Sequence, residues 1–213
     1  MKIAFLHPYK MSDHYFVETI ESAAIADLRS AGHDAEAADF LFDPARPEED
    51  QIREMRGALE AQGYELLFLE RPWSDAMVKA LSGLRIVAYC RPEMVRKGLV
   101  DLGVAHASRK TIRALVDAIV AGNSLDDIAG LILRRGDEVI ETRGGESPTM
   151  LGELRDAEYD YAHRRVLSSR ASNPTRVVVA SNTGCAYRNA PNRTGVFDGV
   201  EMPASVKTAG CTF

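Results

Sequence analysis

Short apolar runs alternate with longer amphipathic stretches over the first 123 residues of the chain. Continuous apolar runs stand at residues 2–7, 65–70 and 85–90, and weaker ones stand at 33–39 and 104–107. Runs of this length favour strands, and a strand without polar alternation is typical of a sheet that is covered on both faces. The pattern therefore predicts a mostly parallel sheet.

Apolar residues at three- and four-residue spacing fill the intervals between these strands. We expect a first helix that starts near Ser12 or Asp13, either of which can cap it, and ends at Gly32. Another helix follows Pro47, and a strongly amphipathic one begins after the cap residue Ser108. This alternation predicts an α/β fold, a doubly wound, mostly parallel flavodoxin/Rossmann-like sheet with right-handed crossovers.

The pattern changes after residue 123. Apolar runs at 131–134 and 139–142 flank Gly136-Asp137, which predicts a β-hairpin. Little periodicity follows until a new strand is predicted at 176–180. We therefore divide the chain into an α/β domain over 1–123, a hairpin and linker over 124–175, and an extended C-terminal segment over 176–213.

Composition and charge narrow the class of protein. The chain has 213 residues, 46% of them hydrophobic, which is enough for one core of ordinary domain size. A net charge of -5 argues against a nucleic-acid partner. Three cysteines at wide spacing favour a reducing compartment, and no apolar run is long enough for a signal peptide or a membrane span. We expect a cytoplasmic protein without a membrane partner.

Candidate ligand-binding residues follow the predicted strands, because open α/β sheets bind ligands beyond the carboxyl ends of their strands. Arginine can hold a phosphate or a carboxylate with two hydrogen bonds, and tryptophan offers a flat apolar wall. Neither a GxGxxG nor a GxxxxGKS/T phosphate loop is present, and the five histidines lack zinc-ligand spacing. His7, at a strand end, is expected to be a half-buried structural residue. The candidates are Pro8, Tyr9, Lys10, Arg71, Trp73, Arg91 and Ser108.

The cysteines fall into two groups. Cys90 ends an apolar run and is expected to be a buried small hydrophobe. Cys185 and Cys211 each follow a glycine in a segment rich in Gly, Pro, Asn and Thr. Thiolates in such loops bind metals or iron–sulfur clusters, so these two are the candidate metal ligands.

The order of these motifs resembles the radical S-adenosylmethionine enzymes that carry an N-terminal cobalamin-binding-like domain. In that family an α/β domain leads through a segment like 125–135 into a hairpin. A linker with an acidic-Tyr-Asp stretch, like 157–160, then precedes the first strand of the barrel. Residues 177–185 and 210–213 look like that strand and the cluster loop.

The resemblance implies a cofactor set that this chain would hold only in part. Cobalamin is expected at the carboxyl edge of the sheet, without a lower axial histidine, because Asp13-His14 lacks the Asp-x-His-x-x-Gly pattern. The 4Fe-4S cluster and S-adenosylmethionine belong to the full-length protein only, since no complete Cys-x-x-x-Cys-x-aromatic-Cys motif occurs here. The chain is thus expected to be a truncated N-terminal part whose partner is the missing C-terminal barrel, and not itself catalytic.

Two alternatives belong to other classes of protein. Residues 2–7, the first helix and Ala31-Gly-His-Asp34 also look like the N-terminal half of a glycosyltransferase with two Rossmann-like halves. A non-catalytic flavodoxin-like binding module is the other, because a fold alone does not give a function.

Overall fold

A computed structural model describes residues 1–10, 16–17, 19–70, 72, 74–105, 108–143, 164–167 and 176–177. All of them belong to the first of two units, Met1–Val179, and the second unit is Ala180–Phe213. The strands are β1 Lys2–Lys10, β2 Phe16–Val17, β3 Asp34–Phe42, β4 Leu66–Leu69, β5 Ile86–Tyr89, β6 Leu102–Val104, β7 Leu131–Arg135, β8 Glu138–Glu141, β9 Arg164–Val166 and β10 Arg176–Val177. The helices are α1 Thr19–Ser30, α2 Glu48–Gln62, α3 Asp75–Ala80, α4 Pro92–Arg96 and α5 Arg109–Ala121.

Eight strands form one sheet in the order β8-β7-β6-β5-β4-β1-β3-β9. The neighbours from β6 to β9 are parallel, whereas β7 is antiparallel to β6 and β8 is antiparallel to β7. The strand order reverses at β1, which lies between β3 and β4. This is a flavodoxin-like order, and the predicted fold class is confirmed. A separate two-stranded sheet pairs β2 with β10 in parallel.

Helices cover both faces of the sheet because the strands bury both of their faces. Ala4 and Leu6 of β1 pack with α2, α3 and α4 in one core cluster. Ile3 and Phe5 pack with α1 and α5 in the other. The rings of Phe5 and Phe68 stack at 4.6 Å in this second cluster, and Tyr89 meets Phe5 edge-on at 5.9 Å.

Several boundaries differ from the prediction. β1 continues through Pro8 to Lys10, because β4 pairs with it only as far as Leu6 and a proline is tolerated where one ladder has ended. α1 begins at Thr19, six or seven residues later than predicted, and Val17 lies in β2. β3 reaches Phe42, three residues past the weak apolar run at 33–39.

The hairpin lies in the main sheet. β7 hydrogen-bonds to β6, and the guanidinium of Arg134 donates to the carbonyl oxygens of Val95 and Arg96 at the end of α4. The short helix α4 itself was not predicted. None of the helices that the structure describes combines the length and the apolar composition needed to span a bilayer.

Candidate functional site

The candidate site is the crevice at the carboxyl ends of β1 and β4. From β1 the chain continues to β3 on one side and then crosses over to β4 on the other side, so the strand order reverses at β1. Such a reversal is the topological switch point where doubly wound sheets bind ligands. β1 pairs with β3 from Lys2 to Lys10, but with β4 only from Ile3 to Leu6. Residues 7–10 therefore extend beyond β4 and form one wall of the crevice. The predicted residues Pro8, Tyr9 and Lys10 all belong to this extension.

Arg91 lies at the same carboxyl edge of the sheet. It follows β5, and its Nε donates to the carbonyl oxygen of Glu70 at the end of β4, at 3.0 Å. Its Nη1 lies 3.6 Å from the carboxylate of Glu93, and its side chain is 42% exposed. Cys90, just before it, is a non-glycine residue with φ of 56°. This left-handed conformation turns the chain sharply out of β5.

Ser108 lies at the N-terminus of α5, at the same edge of the sheet. Its Oγ accepts a hydrogen bond from the backbone N–H of Thr111 at 3.3 Å, as predicted for a cap. Ser108 is 3% exposed. Its described role is therefore the start of α5, and its role in ligand binding stays a prediction.

Three ionisable side chains meet at the start of the β1 extension. Nε2 of His7 lies 2.8 Å from Oε2 of Glu21, in the first turn of α1. Nδ1 of His7 lies 3.6 Å from Oδ1 of Asp39 on β3, which is too long for a hydrogen bond but close for a charge pair. Both carboxylates are buried, and His7 is 14% exposed. This group, the His7–Glu21–Asp39 cluster, fixes β1, α1 and β3 to each other at the site.

The loop after β3 is held by one buried amide. Gln51 of α2 accepts from the backbone N–H of Asp43 at 2.7 Å and donates to the Asp43 carbonyl at 2.9 Å. Its Nε2 also lies 3.1 Å from the carbonyl oxygen of Arg46. These hydrogen bonds hold the backbone of the loop that follows β3, beside the crevice.

Sequence reasoning expected a half-buried His7, which the structure has, but it missed Glu21, Asp39 and Gln51. One signal was present for Glu21. It falls three residues before Ala24 and seven before Leu28, so it interrupts the apolar face of α1. An acidic residue in such a face needs a buried partner. Asp39 gave no comparable signal.

Several candidates lie outside the described residues, namely Arg71, Trp73, Cys185 and Cys211. For Tyr9 and Lys10 the structure describes the backbone only. Cys90, expected to be buried, is half-buried. In the described part of the chain, no three His, Cys, Asp or Glu side chains are arranged to hold a metal ion.

Fold and crevice together define the class as a doubly wound α/β domain with a flavodoxin-like strand order. No family model matches the sequence, and the search of curated proteins finds no match either. Among solved structures, the fold is similar to the radical S-adenosylmethionine methyltransferase TsrM from Kitasatospora setae.

Two structures of TsrM carry this similarity. One, with tryptophan substrate and a S-adenosylmethionine analogue bound, aligns at a TM-score of 0.51 and 14% identity over 67% of this chain. The other, with cobalamin and a 4Fe-4S cluster bound, aligns at 0.52 and 15% over 71% of this chain. The matched region spans only 30% of the TsrM chain in both cases.

Proposed function

We propose that this chain is the N-terminal, cobalamin-binding-like part of a radical S-adenosylmethionine enzyme. Its carboxyl-edge crevice would bind cobalamin, and the iron–sulfur chemistry would reside in a barrel domain that follows. The proposal goes beyond the fold, because identities of 14% and 15% show shared architecture only.

One observation carries the proposal: the strand order reverses at β1, and β1 extends four residues past its pairing with β4. A crevice at this position suits a large ligand that lies across the strand ends. The similarity to an enzyme solved with cobalamin and a 4Fe-4S cluster supports that choice of ligand. No observation favours a glycosyltransferase half or a plain binding module.

The groups at the crevice fit cobalamin in kind. The rim of the molecule carries amide groups and a phosphate, which need hydrogen-bond donors, acceptors and a cation. The backbone of residues 7–10 would supply the first two, and the guanidinium of Arg91 the third. In the full-length protein, bound cobalamin would supply a methyl relay, or the domain would only shape substrate access.

His7 is the first residue of this wall. It would hold the wall in position instead of contacting the cobalt. Its Nε2 is 2.8 Å from Glu21, so metal ligation would require that hydrogen bond to break. His7, Glu21 and Asp39 would hold the β1 extension in place against the ligand.

Cys185 and Cys211 are proposed as cluster ligands in the full-length protein, together with a cysteine beyond this sequence. The barrel partner and S-adenosylmethionine are likewise proposed for the full-length protein only. A chain without a complete cluster motif would have no radical chemistry of its own.

The test is retention of hydroxocobalamin after desalting, read as visible absorbance per protein molecule. Stoichiometric retention is expected for the natural sequence. Arg91→Gln should weaken binding about tenfold, the effect of losing one charge-assisted hydrogen bond. Arg53→Gln is the matched control, because Arg53 is 75% exposed on α2 and pairs only with the nearby Asp50 among the described residues.

Circular dichroism would establish that each variant is folded. Absence of retention by the folded natural sequence would remove cobalamin from the proposal. Equal retention by the Arg91→Gln and natural proteins would keep cobalamin but remove Arg91 from its site.

A further inference from the structure

A second cavity opens at the opposite, amino edge of the sheet, between the start of β5, the start of β6 and the ends of α3 and α5. Its volume is about 550 Å³, within the range of small-molecule sites. The cavity is independent of the carboxyl-edge crevice, so the inference drawn from it does not rest on cobalamin binding.

Two glycine turns leave this space open. Gly83 follows the end of α3, and Gly122 caps α5 with φ of 68°. A Cβ at Gly122 would meet nothing within 4 Å, and one at Gly83 would meet only the tip of Arg56, at 3.9 Å. Both turns lack side chains that would otherwise close the cavity.

The floor of the cavity is apolar. It includes Val78, Ile86, Val100 and Ala118, which are between 1% and 9% exposed. Burial of an apolar group of a ligand on this floor is favourable by roughly 25 cal/mol for each Å² removed from water.

The rim carries one exposed charge of each sign. Arg85 directly precedes β5, and Asp101 directly precedes β6, so both stand at the amino ends of adjacent parallel strands. Within the described part of the chain, neither side chain makes a hydrogen bond or an ion pair, with the other or with a third group. The negative end of the α5 dipole faces the same cavity and favours a cation there.

We propose that this cavity binds a small zwitterion with an apolar group, of the chemical class of an apolar amino acid. The carboxylate would face Arg85, the ammonium would face Asp101 and the end of α5, and the apolar group would lie on the floor. A ligand with only a negative charge would be repelled by Asp101. A ligand with only a positive charge would be repelled by Arg85.

The experiment uses three probes with one apolar group and different charges: L-phenylalanine, 3-phenylpropanoate and 2-phenylethylamine. Binding to the full chain is followed by amide shifts in NMR spectra, including those of Gly83 and Gly122. Saturable binding of phenylalanine is expected at millimolar concentration, about fivefold tighter than either singly charged probe, as one exposed ion pair is worth up to about 1 kcal/mol.

Variants assign the contacts. Arg85→Gln should weaken phenylalanine binding about fivefold without weakening phenylethylamine binding, and Asp101→Asn should weaken phenylalanine binding without weakening phenylpropanoate binding. Ala118→Leu should abolish binding by filling the floor. Arg53→Gln, remote on α2, should change nothing. The two rim residues are exposed, so their replacement leaves the fold intact.

Absence of saturable shifts with any probe, in a protein with a dispersed spectrum, would overturn the site. Equal affinity for phenylalanine and phenylpropanoate, or no effect of Arg85→Gln, would overturn the zwitterion assignment. Both results are independent of hydroxocobalamin retention.

Discussion

At the scale of single residues, the His7–Glu21–Asp39 cluster places two buried carboxylates beside one histidine. Glu21 is 3% exposed and Asp39 is 0% exposed, and both contact one imidazole. A buried carboxylate without a compensating partner costs several kcal/mol. We therefore expect His7 to supply positive charge to the cluster as well as a hydrogen bond.

His7→Gln should lower the free energy of unfolding by about 3 kcal/mol, because the amide can donate one hydrogen bond but brings no charge. Adding Glu21→Gln should recover part of the loss, since it removes one of the two carboxylates. Urea unfolding of the single and double variants measures this coupling.

The control for this prediction is His33→Gln. His33 lies 3.7 Å from Asp117, which is 51% exposed, so its ion pair is screened by water. Equal losses for His7→Gln and His33→Gln would mean that the cluster has no special electrostatic role.

Residues with local roles were predictable, and residues with distant partners were not. Ser108 as a cap and Gly122 as a helix end follow from their immediate neighbours in sequence. Asp39, by contrast, is buried on β3 beside His7, which is 32 positions away and on another strand. No periodicity within β3 encodes that contact.

At the scale of elements, β9 is an edge strand whose attachment depends on a buried ionic group. Tyr64 Oη donates to Oε1 of Glu36 at 2.7 Å, and Nε of Arg165 on β9 donates to the same oxygen at 2.8 Å. The N–H of Leu167 donates to the carbonyl oxygen of Asp39 at 2.7 Å. These bonds tie the segment after the linker to β3.

The pair of Tyr64 and Glu36 makes the free energy of unfolding depend on pH in the alkaline range. Burial, and then the hydrogen bond to Glu36, raise the pKa of Tyr64 well above the ordinary tyrosine value. A raised folded-state pKa gives stability that is present below about pH 10 and is lost as pH rises toward the folded-state pKa. Stability should therefore decline from about pH 10 upward, and Tyr64→Phe should flatten that decline.

Urea unfolding across this alkaline range measures the slope, and absorbance at the tyrosinate band reports ionisation directly. An unchanged slope in Tyr64→Phe would show that another group causes the alkaline loss.

Element type was predictable where apolar runs were continuous, as in β4 and β5. The predicted boundaries were wrong where the neighbouring strands determine the ends of a strand. β1 runs past Pro8 because β3 continues beside it after β4 has ended. The five-residue helix α4 is too short to show a period, and its end is held by Arg134 from the distant hairpin.

At the scale of the whole molecule, the hairpin belongs to the same sheet as the α/β core, although its sequence pattern suggested a separate part. Ile132 of β7 is 2% exposed and packs in the core cluster with α2, α3 and α4. Gly103 of β6 lies so close to α4 that an added Cβ would be 2.9 Å from Val95 Cγ2. Core and hairpin are thus expected to unfold together.

Ile132→Ala tests this cooperativity. Truncation of a buried isoleucine costs about 2–5 kcal/mol, and we expect that loss in the global free energy of unfolding. Native-state hydrogen exchange should show the same loss for amides of β4, which lies three strands away, as for amides of β7. Val120→Ala is the control, because Val120 is 56% exposed and its truncation should change stability by less than about 0.5 kcal/mol. A loss of protection confined to β7 and β8 would instead mean that the hairpin opens independently. The carboxyl-edge and amino-edge sites would then belong to a smaller folding unit that ends before residue 131.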